Sequence, residues 1–151
     1  MTLTQHAPPR MRVTDAAKRI GYAIAAVANA VLLYVVNNLL AWEVPTFLTE
    51  DFERVLPVLN VSIVASMVVN LMYIAYDAAW FKALGQVVLS AFALVVAMRT
   101  LAVFPFDFTP YDYNWEAVAR GCLILVTIAI VIGLIAETVK LVAKLAAPPS
   151  A

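Results

Sequence analysis

The chain has 151 residues, of which 64% are apolar and only 13% are charged, and its formal net charge is zero. A water-soluble domain of this size would hold about 45–50% apolar and about 25% charged residues, so the composition excludes an ordinary soluble enzyme or binding domain. The lack of a basic excess argues against a nucleic-acid-binding protein.

The predicted elements begin with a polar, basic tail over residues 1–19. The first apolar segment, Ile20–Trp42, is long enough as a helix to cross a hydrocarbon core of about 30 Å. It continues well past Ala28-Asn29-Ala30, which resembles a signal-peptide cleavage site, and this favours a retained helix. A loop over Glu43–Arg54 follows.

Three further apolar segments predict spans over about 55–76, 83–104 and 117–139. A short polar connection, Asp77–Lys82, joins the second span to the third, and a loop over Pro105–Glu116 joins the third to the fourth. We therefore predict an all-α membrane protein, a bundle of four transmembrane helices. Its single domain covers 20–145, with the last helix extending beyond its span, and a short tail covers 146–151.

The basic residues predict the orientation of this bundle. Placing the N-terminus inside puts most of them on the cytoplasmic side, namely Arg10, Arg12, Lys18, Arg19, Lys82, Lys140 and Lys144. Arg54 and Arg120 then belong to the outer end, and Arg99 lies within the third span. This bias predicts a multi-pass protein of the cytoplasmic (cell) membrane with both termini inside.

Several kinds of chemistry lack the residues that they need. The one histidine, His6, lies in the tail, and the one cysteine, Cys122, lies in an apolar segment, which we interpret as a small buried hydrophobe. Haem and zinc sites need such ligands in clusters. We expect no catalytic residue, cofactor or metal. Glu137 is interpreted as a snorkelling acid or a local ion pair with Lys140.

Arg99 lies near the outer end of the third span, where a guanidinium must pair, snorkel or face water. Its candidate partners are Asp107, Asp112 and Glu116 in the next loop and Asn29 and Asn37 on the first span. We expect Arg99 to anchor that loop through one carboxylate, with Asp107 as the leading candidate. A role in ligand binding is the alternative.

Polar residues also lie within the spans. Ser62, Ser66 and Asn70 are spaced by four and share one face of the second span, while Asn29 and Asn37 lie on the first. Such groups should turn inward and form hydrogen bonds between helices. The alternative is a polar path for a substrate.

The outer loop after the third span is rich in aromatic residues and stiffened by two prolines. Phe104, Phe106 and Phe108 alternate along its start. Two interpretations remain open: an aromatic belt at the membrane interface, or a docking surface for a protein or a lipid.

Four sequence motifs together resemble those of a group of small bacterial four-span membrane proteins, actinobacterial ones among them. They are Phe47-Leu48-Thr49, Leu56-Pro57-Val58-Leu59-Asn60, Trp80-Phe81-Lys82 and Phe104-Pro105-Phe106-Asp107-Phe108. The resemblance covers most of the chain, from the first span to Lys140, and the last motif is its most specific part. It implies a four-span fold and lends no catalytic residues. By analogy of setting, it suggests association with a larger envelope machine such as a lipid-uptake transporter.

Three functions are compatible with these patterns. The first is a non-enzymatic accessory or assembly subunit of a larger envelope complex, with the bilayer and either a protein partner or a second copy as its contacts. The second is a small oligomeric transporter or channel with a path along Ser62, Ser66 and Asn70. The third, a lipid-modifying enzyme using Asp107 and Asp112, has no second type of catalytic group to support it.

Overall fold

The computed structural model describes residues 11–76 and 78–146, with side chains from residue 16 onwards. The predicted basic tail up to residue 10, Asp77 and the predicted C-terminal tail beyond residue 146 lie outside this description.

Five helical elements make up most of the described chain. They are α1 (Met11–Asn38), a short 3-10 helix (Glu50–Arg54), α2 (Leu56–Ala75), α3 (Ala79–Val103) and α4 (Trp115–Ala146). The four α-helices are long and apolar enough to cross a membrane, and the described residues form no β-strand. The predicted all-α membrane fold with four spanning helices is therefore confirmed.

The helix ends differ from the predicted spans by a few residues. Helix α1 ends at Asn38, before the predicted limit at Trp42, and residues 39–43 form turns instead. Glu43 adopts a left-handed backbone with a φ of 54°, which no α-helix can continue through. Helix α3 begins earlier than predicted, at Ala79, because the polar connection includes its first turn.

The helices pack in chain order. Helix α1 packs along α2 and α3 packs along α4, while a smaller contact joins α2 to α3. Within the described residues α1 and α4 do not pack against each other. The fold is thus two helical hairpins joined through α2 and α3, and it is open on the side where α1 and α4 would meet.

The two ends of this bundle differ in construction. The loops over 39–55 and 104–114 cover one end, here called the capped end. At the other end, the termini end, the start of α1 and the end of α4 lie beside the tight connection between α2 and α3. The ε-ammonium of Lys144 donates a hydrogen bond to the Ala79 carbonyl there, at 3.2 Å.

Burial is slight, as expected for helices whose solvent is lipid. The buried apolar residues in the helices are mostly small or aliphatic, namely Ala26, Val36, Ile63, Tyr73, Ala83 and Ala97. Helix α4 buries no residue, and most of its aliphatic side chains are exposed. The outward surface of the described helices is accordingly a surface for lipid or for another protein.

Candidate functional site

A groove of about 480 Å³ follows from the missing contact between α1 and α4. All four helices contribute to its lining. Helices α2 and α3 supply most of its residues, which include Ser62, Ser66, Ala93, Ala97 and Thr100. Asn29 and Leu32 of α1 line one side, and Leu123, Val126 and Ile130 of α4 line the other. Its surface is mainly apolar, with a few hydroxyl and amide groups.

The polar residues predicted to turn inward do join α1 to α2. The Asn29 amide donates to the Ser66 hydroxyl at 3.0 Å. Nearer the capped end, Asn37 and Asn60 exchange two amide hydrogen bonds of 2.8 and 2.9 Å. These bonds satisfy polar groups that lipid could not hydrate, and they fix the register of the α1–α2 hairpin.

The predicted stripe on α2 divides between two roles. Ser62 and Ser66 line the groove. Asn70 does not line it, and its amide donates to the Ser66 carbonyl one turn earlier, at 2.8 Å. The structure therefore brings Asn29, Ser62 and Ser66 together at the groove and leaves Asn70 apart from it.

The capped end is built from two loops that hold each other. The Thr49 N–H donates to the Pro105 carbonyl at 3.0 Å, and the Asp107 N–H donates to the Phe47 carbonyl at 2.8 Å. Leu48 and Phe106 form an isolated antiparallel bridge between them, and Pro105 is fully buried. Backbone hydrogen bonds therefore join the loop over 39–55 to the loop over 104–114, although the two loops are far apart in the sequence.

The three phenylalanines singled out from the sequence pack within this cap. The ring of Phe47 lies 5.3 Å from that of Phe108 and 6.1 Å from that of Phe106, measured between centroids. Phe104 meets Phe106 edge to face at 5.4 Å. All four rings remain partly accessible. The cluster thus stiffens the cap and still presents aromatic surface at its exterior.

Arg120 makes contacts within this capped end that the sequence patterns did not reveal. Its guanidinium lies 3.8 Å from the centroid of the Phe104 ring and donates to the Glu116 carboxylate at 3.0 Å. Phe104 ends α3 in a left-handed conformation, with a φ of 45°, which costs a residue with a Cβ about 1 kcal/mol. The cation–π contact with Arg120 offsets part of this cost.

Arg99 does not form the expected pair with Asp107. Its Nε donates at 3.3 Å to the carbonyl of Arg54, the last residue of the 3-10 helix, and no ion pair links Arg99 to a described carboxylate. The prediction was wrong because two loops approach the end of α3, and the side chain points to the earlier one. Arg99 therefore braces the loop over 39–55.

Asp107 instead organises its own loop. Its carboxylate accepts a hydrogen bond from the Thr109 N–H at 2.9 Å and another from the Thr109 hydroxyl at 2.7 Å. Both hydrogen bonds lower the pKa of Asp107 below its ordinary value because they stabilise the ionised carboxylate, and the bond from the backbone N–H has the larger effect. At a pH above the ordinary pKa of an aspartate, the Asp107 carboxylate is ionised and these bonds stabilise the turn that they close. That stabilisation is lost as the pH falls through the lowered pKa.

Two further interpretations are corrected. Glu137 neither snorkels nor pairs with Lys140 in the described structure, because its carboxylate accepts a hydrogen bond from Ser90 on α3. Cys122 is exposed on α4 and is not a buried hydrophobe. Both errors have one cause: position along a span does not tell which side of the helix meets a neighbour.

A larger cavity of about 640 Å³ lies under the loop over 39–55 and is bordered by three acids, Glu43, Glu50 and Glu53. No group of His, Cys, Asp or Glu in the described part of the chain is arranged to hold a metal ion.

A comparison with known protein families, with curated proteins and with solved structures finds no match to this chain.

Proposed function

We propose that the chain is a non-enzymatic assembly subunit of a larger complex in the cell membrane, and that its groove receives a transmembrane helix of a partner protein. One observation supports this most: the two hairpins leave a groove lined by all four helices, because α1 and α4 do not pack together. An envelope lipid-transport machine is the candidate complex that the sequence resemblance suggests.

The chemistry of the groove favours a helix as its occupant. Helices associate in lipid through close backbone approach at small residues and through a few interhelical hydrogen bonds. The groove offers both: Ala93 and Ala97 on α3 leave room for a neighbouring backbone, and Ser62 presents a hydroxyl. A partner helix would thus meet the same kind of surface that already joins α1 to α2.

The capped end supports the same role. Its backbone bonds and stacked rings make a stiff structure, while Tyr111 and Tyr113 remain exposed beside it. Aromatic side chains that are rigid and accessible are favoured contact residues at protein interfaces. A partner that enters the groove would therefore find a preformed surface at this end.

The test compares two substitutions on neighbouring faces of α3. Ala93→Phe fills the groove, whereas Ala91→Phe places the same ring on an exposed face that does not line it. Tagged wild-type and variant proteins are purified from native membranes in a mild detergent, and the proteins that accompany them are quantified by mass spectrometry.

We expect the wild type and Ala91→Phe to retain a partner in stoichiometric amount and Ala93→Phe to lose it, with similar melting temperatures for both variants. Retention of the same partner by Ala93→Phe would contradict the proposal. Recovery of only this chain, alone or self-associated, would also contradict it.

A second candidate, an oligomeric transporter, is favoured by one observation: Ser62 and Ser66 of the predicted path line the groove together with Asn29 and Thr100. Several copies would have to enclose that surface to make a route across the membrane. In this case wild-type protein in vesicles should pass ions or small solutes, and Ser62→Val should lower the flux. Vesicles without flux would remove this candidate.

A further inference from the structure

A second polar cavity lies between α3 and α4 at the termini end. Its volume is about 200 Å³, which at the volume share of liquid water is room for about seven water molecules. It is lined by Lys82, Gln86, Glu137, Lys140 and Lys144, together with Ala83. Three lysines and one glutamate thus line one small cavity.

Glu137 lines the cavity as well, but among the described residues no ion pair joins it to Lys140 or Lys144. Glu137 accepts its hydrogen bond from Ser90, on the neighbouring helix. Lys140 and Lys144 lie one turn apart on α4, so their like charges repel each other. The Lys144 ammonium is held in place by the Ala79 carbonyl at 3.2 Å. An anion in the cavity would relieve this repulsion, and the Lys144 ammonium is already held in place to meet it.

The cavity lies at the depth where lipid headgroups are found. Trp80 and Tyr76, which are both exposed, pack edge to face at 6.1 Å beside the same helix ends. Exposed tryptophan and tyrosine at the end of an apolar helix mark the interface between hydrocarbon and headgroups. Basic pockets between helices at this depth are suited to anionic lipid headgroups.

We infer that this cavity binds the phosphate of an anionic phospholipid. Lys140 and Lys144 hold the phosphate from α4, Gln86 contributes from α3, and the acyl chains lie along the outward apolar surface of α4. The site is independent of the groove, because the two share no lining residue. Loss of one would therefore leave the other intact.

The experiment measures the lipid bound to purified full-length protein in detergent micelles. The micelles contain either phosphatidylglycerol or phosphatidylcholine with the same acyl chains, and bound lipid is counted by native mass spectrometry. We expect a preference for phosphatidylglycerol. The double variant Lys140→Gln/Lys144→Gln should weaken phosphatidylglycerol binding about 25-fold, at about fivefold per lysine, and leave phosphatidylcholine binding unchanged.

The matched control is Lys18→Gln/Arg19→Gln, which removes two positive charges from the same end of the bundle outside the cavity. This control should change phosphatidylglycerol binding less than twofold. Equal losses in both double variants would show a diffuse charge effect and overturn the site. Glu137→Gln keeps a hydrogen-bond acceptor for Ser90 and removes the negative charge, so it should strengthen phosphatidylglycerol binding. Weaker binding by this variant would also overturn the proposal.

A final arm separates the lipid from free phosphate. Inorganic phosphate at the concentration of the phosphatidylglycerol should displace almost none of the bound lipid, since only the lipid adds acyl-chain contacts. Complete displacement would identify free phosphate as the ligand and contradict the lipid assignment.

Discussion

Gly85 on α3 lies in tight contact with Tyr73 on α2, where the two hairpins meet. A Cβ built on Gly85 would lie 2.1 Å from the Tyr73 hydroxyl oxygen and 2.9 Å from the adjoining ring carbon. The hydroxyl donates at 3.0 Å to the Lys82 carbonyl, in the first turn of α3, and the Tyr73 side chain is buried. A residue without a side chain at position 85 therefore lets α2 approach α3.

We predict that Gly85→Ala destabilises the protein by about 1–3 kcal/mol, the usual cost of overpacking a tight contact. Gly133→Ala is the control, because apart from its chain neighbours and the nearby backbone of α4 no atom lies within 4 Å of a Cβ at that position. It should be neutral or stabilising by up to about 1 kcal/mol. The free energy of unfolding in mixed micelles tests both. Equal effects of the two substitutions would show that α2 and α3 do not meet as described.

Single contacts of charged residues were the least predictable part of the site. The energetic cost of a guanidinium in lipid predicted that Arg99 needs a partner, and that partner is the Arg54 carbonyl and not Asp107. Glu137 likewise found Ser90 on α3 and not the nearby Lys140. The partner of a charged side chain depends on which face of each helix contacts which neighbouring helix. A sequence predicts that contact face only where polar residues recur along one side of the helix.

At the scale of helices, hydropathy predicted most of the architecture. The thickness of a bilayer sets the length of an apolar segment, so four such segments had to give four helices. The precise ends follow local hydrogen bonding instead. At the end of α1 the amide of Asn38 donates to the Tyr34 carbonyl at 2.7 Å, and α3 ends where Phe104 turns left-handed before Pro105.

The α1–α2 hairpin gives a prediction at this scale. Asn37 and Asn60 exchange two hydrogen bonds across the helices, whereas Asn38 bonds only within α1. A double-mutant cycle of Asn37→Ala and Asn60→Ala should show a coupling of about 0.6–1.7 kcal/mol, the range for such bonds in membranes. The cycle of Asn38→Ala with Asn60→Ala should show none. Coupling of equal size in both cycles would contradict the described register.

At the scale of the whole molecule, the order in which helices pack was not predictable from the sequence. Lipid tails are as apolar as leucine, so hydrophobicity alone does not drive one helix against another. The asparagines and serines of α1 and α2 indicated that contacts form, and the structure shows that these contacts stop short of closing a ring. The groove is a consequence of that open order.

The central claim is that a partner helix occupies the groove. The most direct measurement places a photoreactive amino acid at Val126, which lines the groove from α4, and at Ile132, which is exposed on the same helix and does not line it. Irradiation of native membranes should link position 126, and not position 132, to a different membrane protein. Equal linkage at both positions, or linkage at 126 only to lipid or to a second copy of this chain, would contradict the account.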